Sequence, residues 1–120
     1  MGRLSTHILD TARGLPAAGI TVQLWAVGGE RRELLVTTTT NPDGRTDAPL
    51  LSGDALHVGV YELVFFAGSY FRAHSLSDAS LPEPSFLDEV IVRFGVADAD
   101  AAYHVPLLLS PYGYSTYRGS

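Results

Sequence analysis

Two histidines and one arginine are the side chains of this sequence best placed for acid–base chemistry. His7 lies in a stretch that alternates polar and apolar residues, His104 opens an otherwise apolar run, and Arg45 directly follows an Asn-Pro-Asp-Gly turn. Imidazole has a pKa of about 6.5, so it can accept or donate a proton near neutral pH. Guanidinium presents a rigid fork of donors to carbonyl oxygens and to developing negative charge. If the fold gathers these groups, they could transfer protons and stabilise an oxyanion.

Each of these positions also has an ordinary structural interpretation. A single histidine in a strand is usually a solvated surface residue, and an arginine after a turn is usually exposed. The polar and aromatic end of the chain, residues 112–120, would by the same reasoning simply fray. His57, before a predicted strand, and His74, in a predicted helix, fit this interpretation, so neither is assigned a role.

Composition and motifs exclude several classes of function. The 120 residues carry a formal net charge of −5 and no basic stripe, which argues against nucleic acid as a partner. No apolar run is long enough to span a membrane, and the N-terminus lacks the apolar part of a secretory signal, so we expect a cytoplasmic protein without membrane contact. There is no cysteine, no glycine-rich phosphate loop and no His-x-x-x-His spacing. We therefore predict no cofactor and no bound metal.

Short strands must position the candidate groups, because period-two alternation dominates the sequence. Turn residues separate the predicted strands, which cover residues 3–10, 20–27, 34–40, 58–66, 87–94, 103–109 and 112–117. Residues 69–76 are the one plausible helix, and it is brief. Regularly spaced short strands predict an all-β fold, an antiparallel β-sandwich, in a single domain of residues 1–120.

Alternation gives the first strand a core face and an opposite face. The two faces carry, respectively, Leu4, Thr6 and Ile8, and Ser5, His7 and Leu9. One later residue does not fit a simple strand. Pro106 lies in the middle of residues 103–109, although a residue without an N–H normally belongs at a sheet edge or a bulge.

Several segments of the sequence resemble one family. Residues 4–17 read Leu-Ser-Thr-His-Ile-Leu-Asp-Thr-Ala-Arg-Gly-Leu-Pro-Ala, residues 41–45 read Asn-Pro-Asp-Gly-Arg, and the chain closes on Tyr-Arg-Gly-Ser at 117–120. These segments are similar to the signatures of the transthyretin-related hydrolases. Residues 108–116 resemble both those enzymes and transthyretin itself. The resemblance extends over essentially the whole chain.

The resemblance implies a transthyretin-like fold, a sandwich of two four-stranded sheets with one short helix. It also implies a homotetramer, built as a dimer of dimers, with the active sites in a channel between dimers. The second face of the first strand would line this channel. So would alternate residues of two later strands: His104, Pro106 and Leu108, and then Ser115 and Tyr117.

The activity that the resemblance implies is hydrolysis of 5-hydroxyisourate at a cyclic amide of its six-membered ring. The product would be 2-oxo-4-hydroxy-4-carboxy-5-ureidoimidazoline, an intermediate of urate degradation. His7 and His104 would activate water and transfer protons, in either order, while Arg45 would anchor the substrate and stabilise the oxyanion. Alternation turns Arg118 away from the ligand. The substrate would also contact Leu108, Ser115, Tyr117 and Ser120.

Two other functions are open at this point. The first is a non-catalytic, transthyretin-like carrier of a small molecule, with the same channel and no chemistry. Transthyretin has a lysine, a glutamate and a threonine where this chain has His7, Arg45 and His104, and it lacks the closing tetrapeptide. The second is a structural or adhesive sandwich domain without a ligand site, which leaves the three polar residues and the C-terminal segment unexplained.

Overall fold

The computed structural model describes residues 2–74 and 82–119. Turn residues break the chain into short elements, as the sequence predicts. Their order is β1 (Arg3–Asp10), β2 (Leu15–Pro16), β3 (Thr21–Gly28), β4 (Arg31–Thr39), β5 (Leu51–Ser52), β6 (Gly59–Phe65), α1 (Ala67–Ala73), β7 (Val90–Val96), β8 (Ala102–Ser110) and β9 (Gly113–Thr116).

The strands form two sheets that share one hydrophobic core. The first, called here the site sheet, has the order β2-β1-β8-β9, with the short β5 also paired to β1. The second has the order β4-β3-β6-β7. Within the described ranges β1 and β8 run parallel and every other strand pair is antiparallel. The prediction of an all-β sandwich of two sheets with one short helix is confirmed. The site sheet has five strands rather than the four that the resemblance implies, because β5 adds to β1, and its β1–β8 pair is parallel rather than antiparallel.

Alternation along β1 divides its side chains as predicted. Leu4, Thr6 and Ile8 are at most 1% exposed and belong to the interior. The buried Thr6 hydroxyl donates a hydrogen bond to the Val105 carbonyl at 2.7 Å, so its burial leaves no unpaired polar group. Burying a leucine or isoleucine side chain stabilises the fold by about 1.5–3 kcal/mol. A one-residue slip of β1 would place His7 in the core, so this burial also fixes which face carries the histidine.

Some element boundaries differ from the predicted ones. β4 begins at Arg31 rather than Leu34, because the charged residues of this exposed edge strand hide its alternation. The helix covers Ala67–Ala73 rather than 69–76, a span whose last two residues lie outside the described part of the chain. β7 is shifted toward the C-terminus. β2 and β5 escaped prediction because a strand of two residues has no periodicity.

Pro106 determines where β9 ends. The carbonyls of His104 and Pro106 both face the C-terminal segment: one accepts from the Gly119 N–H at 2.8 Å, the other from the Thr116 hydroxyl at 2.7 Å. The Pro106 nitrogen faces the same way and cannot donate, so the carbonyl of Tyr117, next in the register, gains no partner from it. β9 therefore stops at Thr116 and pairing resumes only at Gly119. The prediction that the last strand continues through Tyr117 is wrong. Pro106 lies at the end of the β8–β9 ladder, although it is in the middle of the β1–β8 pairing.

Candidate active site

A cavity of about 450 Å³ lies on the face of the site sheet that points away from the core. The parallel pair β1 and β8 forms its floor, because every second side chain of each strand projects into it. These floor residues are Ser5, His7 and Leu9 from β1, and His104, Pro106 and Leu108 from β8.

A tight turn brings Arg45 beside His7. The Asn41 side-chain carbonyl accepts a hydrogen bond from the Arg45 N–H at 3.2 Å, which closes the turn. Gly44, the residue before Arg45, has a φ of +76°, and a Cβ at this position would clash with the Ile8 carbonyl oxygen. Glycine thus lets the turn approach β1, where the Ile8 N–H donates to the Gly44 carbonyl at 2.9 Å. Arg45 then pairs with His7 through an isolated β-bridge.

The C-terminal segment closes one side of the cavity. Tyr117 lines it, whereas Arg118 points to the other side of the sheet and stacks its guanidinium 4.2 Å above the Tyr103 ring. Gly119 packs directly against His104, since a Cβ at Gly119 would lie 2.7 Å from Cδ2 of that imidazole. The segment is therefore held to the sheet and to one of the candidate histidines.

The two imidazole rings lie close enough to act on one ligand. Their centroids are 6.5 Å apart and their planes are tilted by 35°. Nδ1 of His104 shares a hydrogen bond of 2.8 Å with the hydroxyl of Ser5, its direct neighbour in the parallel register. This contact leaves Nε2 as the nitrogen of His104 that a ligand can use.

Burial and positive charge lower the pKa of both histidines. For His7 burial is the largest cause and Arg45 adds to it, while the backbone carbonyl and the carboxylate of Asp43 oppose the shift. For His104 burial again comes first, followed by the positive charge of Arg45, repulsion from His7 when that ring is protonated, and the positive charge of Arg3. These shifts favour the neutral form of both imidazoles near pH 7, the form that can take a proton from water.

The remaining donors of the cavity suit an anionic or carbonyl-rich ligand. Its charged lining residues in the described part of the chain are Arg3 and Arg45, with no carboxylate among them.

Residues 2–74 and 82–119 hold no group of three or more His, Cys, Asp or Glu side chains arranged for a metal ion. Over the same ranges no helix is both long and apolar enough to cross a membrane.

The structure gathers most of the residues singled out from the sequence. Ser115 lies opposite Leu108 in β9 but is exposed and outside the cavity lining, and Ser120 lies outside the described residues. His57 and His74, which received no role, do not line the cavity. Of the residues predicted to be catalytic or to contact the substrate, those that surround the cavity are His7, Arg45, His104, Leu108 and Tyr117.

Sequence reasoning missed three contributions to this cavity. Arg3 adds a second guanidinium, Gly119 packs against His104, and Ser5 holds its Nδ1. Alternation had placed Ser5 on the correct face, but its partner could not be read from the sequence. No local signal linked Gly119 to the histidine, because the two residues meet only through the register of the site sheet.

Comparison of the sequence with known proteins finds close relatives along the whole chain. Residues 4–119 match the model of the HIUase/Transthyretin family. The chain is 58% identical over 120 residues to the 5-hydroxyisourate hydrolase of Pseudomonas aeruginosa, covering 100% of this chain and 93% of that protein. It is 50% identical over 117 residues to the 5-hydroxyisourate hydrolase of Deinococcus radiodurans, covering 98% and 95%.

Solved structures share the same architecture. The Klebsiella pneumoniae 5-hydroxyisourate hydrolase matches with a TM-score of 0.77 at 37% identity, covering 100% of both chains. A structure of (S)-allantoin synthase matches with a TM-score of 0.90 at 41% identity, and this chain corresponds to only 44% of it. Sea bream transthyretin in complex with thyroxine matches with a TM-score of 0.83, covering 98% of this chain and 94% of that one. Its identity of 24% indicates a shared fold alone.

Proposed function

Because the chain belongs to the HIUase/Transthyretin family, we propose that it is a hydrolase acting on 5-hydroxyisourate. Two relatives that carry this activity in their names are 58% and 50% identical to this chain over nearly the full length of both chains. The observation that carries the proposal is the meeting of His7, Arg45 and His104 around one cavity. Imidazoles that can take up and return a proton, beside a fixed cation, are suited to amide hydrolysis by activated water.

The proposed reaction opens the six-membered ring at its cyclic amide. One neutral imidazole of the pair, His7 or His104, takes a proton from water as the oxygen adds to the amide carbonyl carbon. Arg45 donates to the oxyanion that forms on the carbonyl oxygen. When the C–N bond breaks, an imidazolium returns a proton to the leaving nitrogen. The product, 2-oxo-4-hydroxy-4-carboxy-5-ureidoimidazoline, carries the water oxygen in its new carboxyl group, and the released ring nitrogen becomes the end of the ureido group. One water proton is on that nitrogen and the other leaves as the carboxyl group ionises, so one water balances the step.

The carrier function is the second candidate, since a transthyretin with bound thyroxine has a similar fold. A carrier needs only a surface complementary to its ligand. The carrier function therefore does not explain why two imidazoles with a lowered pKa lie beside a guanidinium. We place this chain with the hydrolases for that reason. We also propose the dimer-of-dimers tetramer that the family resemblance implies, with the cavity of each subunit facing the channel.

An assay coupled to urate oxidase separates hydrolase from carrier. Urate oxidase generates 5-hydroxyisourate from urate, and the absorbance of the transient product reports its decay. Sub-stoichiometric amounts of this protein should accelerate the decay in proportion to their concentration. A carrier would leave the decay unchanged at these amounts and slow it at stoichiometric ones, and either result would overturn the proposed activity.

The lowered pKa of the histidines predicts an acid limb in the pH profile. Because the pKa of each imidazole is lowered, the rings stay neutral at pH values below the ordinary imidazole pKa of about 6.5. We therefore expect kcat/KM to stay level near pH 7 and to fall only as the pH drops through the lowered pKa values of the two histidines.

Arg45 contributes to both pKa shifts, and Arg3 and Asp43 are the other charged neighbours. Arg45→Gln should therefore raise the pKa of both rings, which proton NMR titration would measure. Arg31→Gln, on the exposed edge of the second sheet, is the matched control, and unchanged midpoints in Arg45→Gln would contradict this account.

Gly119→Ala is expected to lower activity although it adds only one methyl group. Its Cβ would meet Cδ2 of His104 at 2.7 Å, so either the imidazole or the C-terminal segment must move. A displacement of about 1 Å at a reacting group can cost about 10²-fold in rate. Gly113→Ala is the control, since a Cβ there meets nothing closer than 3.7 Å. Equal rates for the two variants would show that the contact with His104 does not matter.

A further inference from the structure

The hydrogen bond between Ser5 and His104 has no part in the reaction steps given above. The Ser5 hydroxyl lies 2.8 Å from Nδ1 of His104, and both residues are half-buried. The two residues are 99 positions apart in sequence but directly opposite in the parallel register of β1 and β8. The backbone ladder therefore holds this hydroxyl at one nitrogen of the imidazole.

The opposite edge of the ring is held as well. Gly119 packs against Cδ2 of His104, and its N–H donates to the His104 carbonyl at 2.8 Å. A flip of the ring would exchange Nδ1 with Cδ2 and place a carbon against the Ser5 hydroxyl, losing the hydrogen bond. The observed orientation is thus the one that these two neighbours favour together.

We propose that Ser5 is a positioning residue for His104, whose hydroxyl keeps Nε2 directed into the cavity in both protonation states of the ring. The inference rests on the proposed hydrolysis. A hydroxyl has one donor and two acceptor lone pairs, so Ser5 donates to an unprotonated Nδ1 and accepts from a protonated one. A proton can then enter or leave at Nε2 while only the hydroxyl hydrogen rotates.

Serine suits this task better than the carboxylate that often orients a histidine. A carboxylate beside Nδ1 would favour the imidazolium and hold the proton on the ring. The pKa of His104 is instead lowered, first by burial and then by the guanidinium groups of Arg45 and Arg3 and by His7 when that ring is protonated. The Ser5 hydroxyl orients the ring without reversing this effect, so the ring can both take up and release a proton at Nε2.

A matched pair of variants isolates the hydroxyl. Ser5→Thr keeps it and Ser5→Val replaces it with a methyl group of the same shape, and both residues favour strands. We expect Ser5→Val to lower kcat about tenfold, the value of one hydrogen bond, with KM nearly unchanged, and Ser5→Thr to restore it. Thr37→Ala, an exposed hydroxyl on β4, controls for general effects. Equal kcat for the Thr and Val variants would overturn the proposal.

A double-mutant cycle tests whether Ser5 acts through His104. In the His104→Thr background, Ser5→Val should cause no further loss, because the group it orients is gone. The same tenfold loss in both backgrounds would mean that Ser5 contacts the substrate directly, and it would overturn the positioning role.

Nitrogen-15 NMR of the imidazoles gives a test that needs no turnover. Ser5→Val should shift the Nδ1 signal of neutral His104 and leave that of His7 in place, whereas Ser5→Thr should leave both. Identical His104 signals in all three proteins would overturn the proposal. This result is distinct from failure of the proposed activity, which would appear as a wild-type protein that does not accelerate decay of 5-hydroxyisourate.

Discussion

Replacing His104 with threonine, or His7 with lysine, is expected to lower kcat/KM for 5-hydroxyisourate by about 10²–10⁴-fold, the usual contribution of general acid–base catalysis. Threonine and lysine are the residues that the resemblance assigns to these positions in transthyretin. Both histidines are half-buried on the cavity face of the site sheet, so neither change opens a hole in the core. The variants should keep their melting temperatures to within a few degrees.

The coupled urate oxidase assay and thermal melting measure these two quantities together. His57→Thr is the matched control, because His57 is exposed and does not line the cavity. It should hydrolyse at the wild-type rate. A folded His104→Thr or His7→Lys protein with near-native turnover would remove that imidazole from the mechanism.

Deleting residues 117–120 is expected to reduce hydrolysis by about 10²-fold or more, although four terminal residues are usually dispensable. The deletion removes the Tyr117 side chain from the cavity wall and the Gly119 contact that holds His104. It also removes Ser120, which we propose as a substrate contact. Among the described residues, the sheet loses the backbone hydrogen bond of Gly119, the hydrogen bond from Arg118 to the Ala102 carbonyl and the stacking of Arg118 on Tyr103, worth together about 1–3 kcal/mol.

Light scattering, melting and the coupled assay separate these effects in the truncated protein. Its mass should remain that of the proposed tetramer and its fold should persist, while the rate approaches that of the uncatalysed decay. Arg118→Ala is the control, because this side chain points away from the cavity. A truncated protein with normal turnover would show that residues 117–120 are not needed for hydrolysis.

The sequence predicted the face of each strand better than the partners of each strand. Alternation along β1 identified His7 as a residue of the second face because Leu4 and Ile8 must be buried, and burial fixes a period of two. The resemblance then joined His7 to Arg45 and His104. The structure places all three around one cavity.

Contacts between different strands could not be predicted from the sequence. Ser5 meets His104 because β1 and β8 are parallel neighbours, a pairing between distant segments that no local pattern encodes. Arg45 reaches His7 because Gly44 lets its turn approach β1. The end of β9 depends on which way the Pro106 nitrogen faces, and only the pairing of β8 reveals this.

Carbon-13 NMR of the product tests the central claim most directly. Labelled urate, urate oxidase and this protein, at far less than one subunit per substrate molecule, should yield many equivalents of the ring-opened 2-oxo-4-hydroxy-4-carboxy-5-ureidoimidazoline per subunit, before the uncatalysed reaction makes an appreciable amount. The double variant His7→Lys/His104→Thr should yield it only at the uncatalysed rate. If wild-type protein and double variant form the ring-opened carboxylate equally slowly, the cavity does not hydrolyse 5-hydroxyisourate.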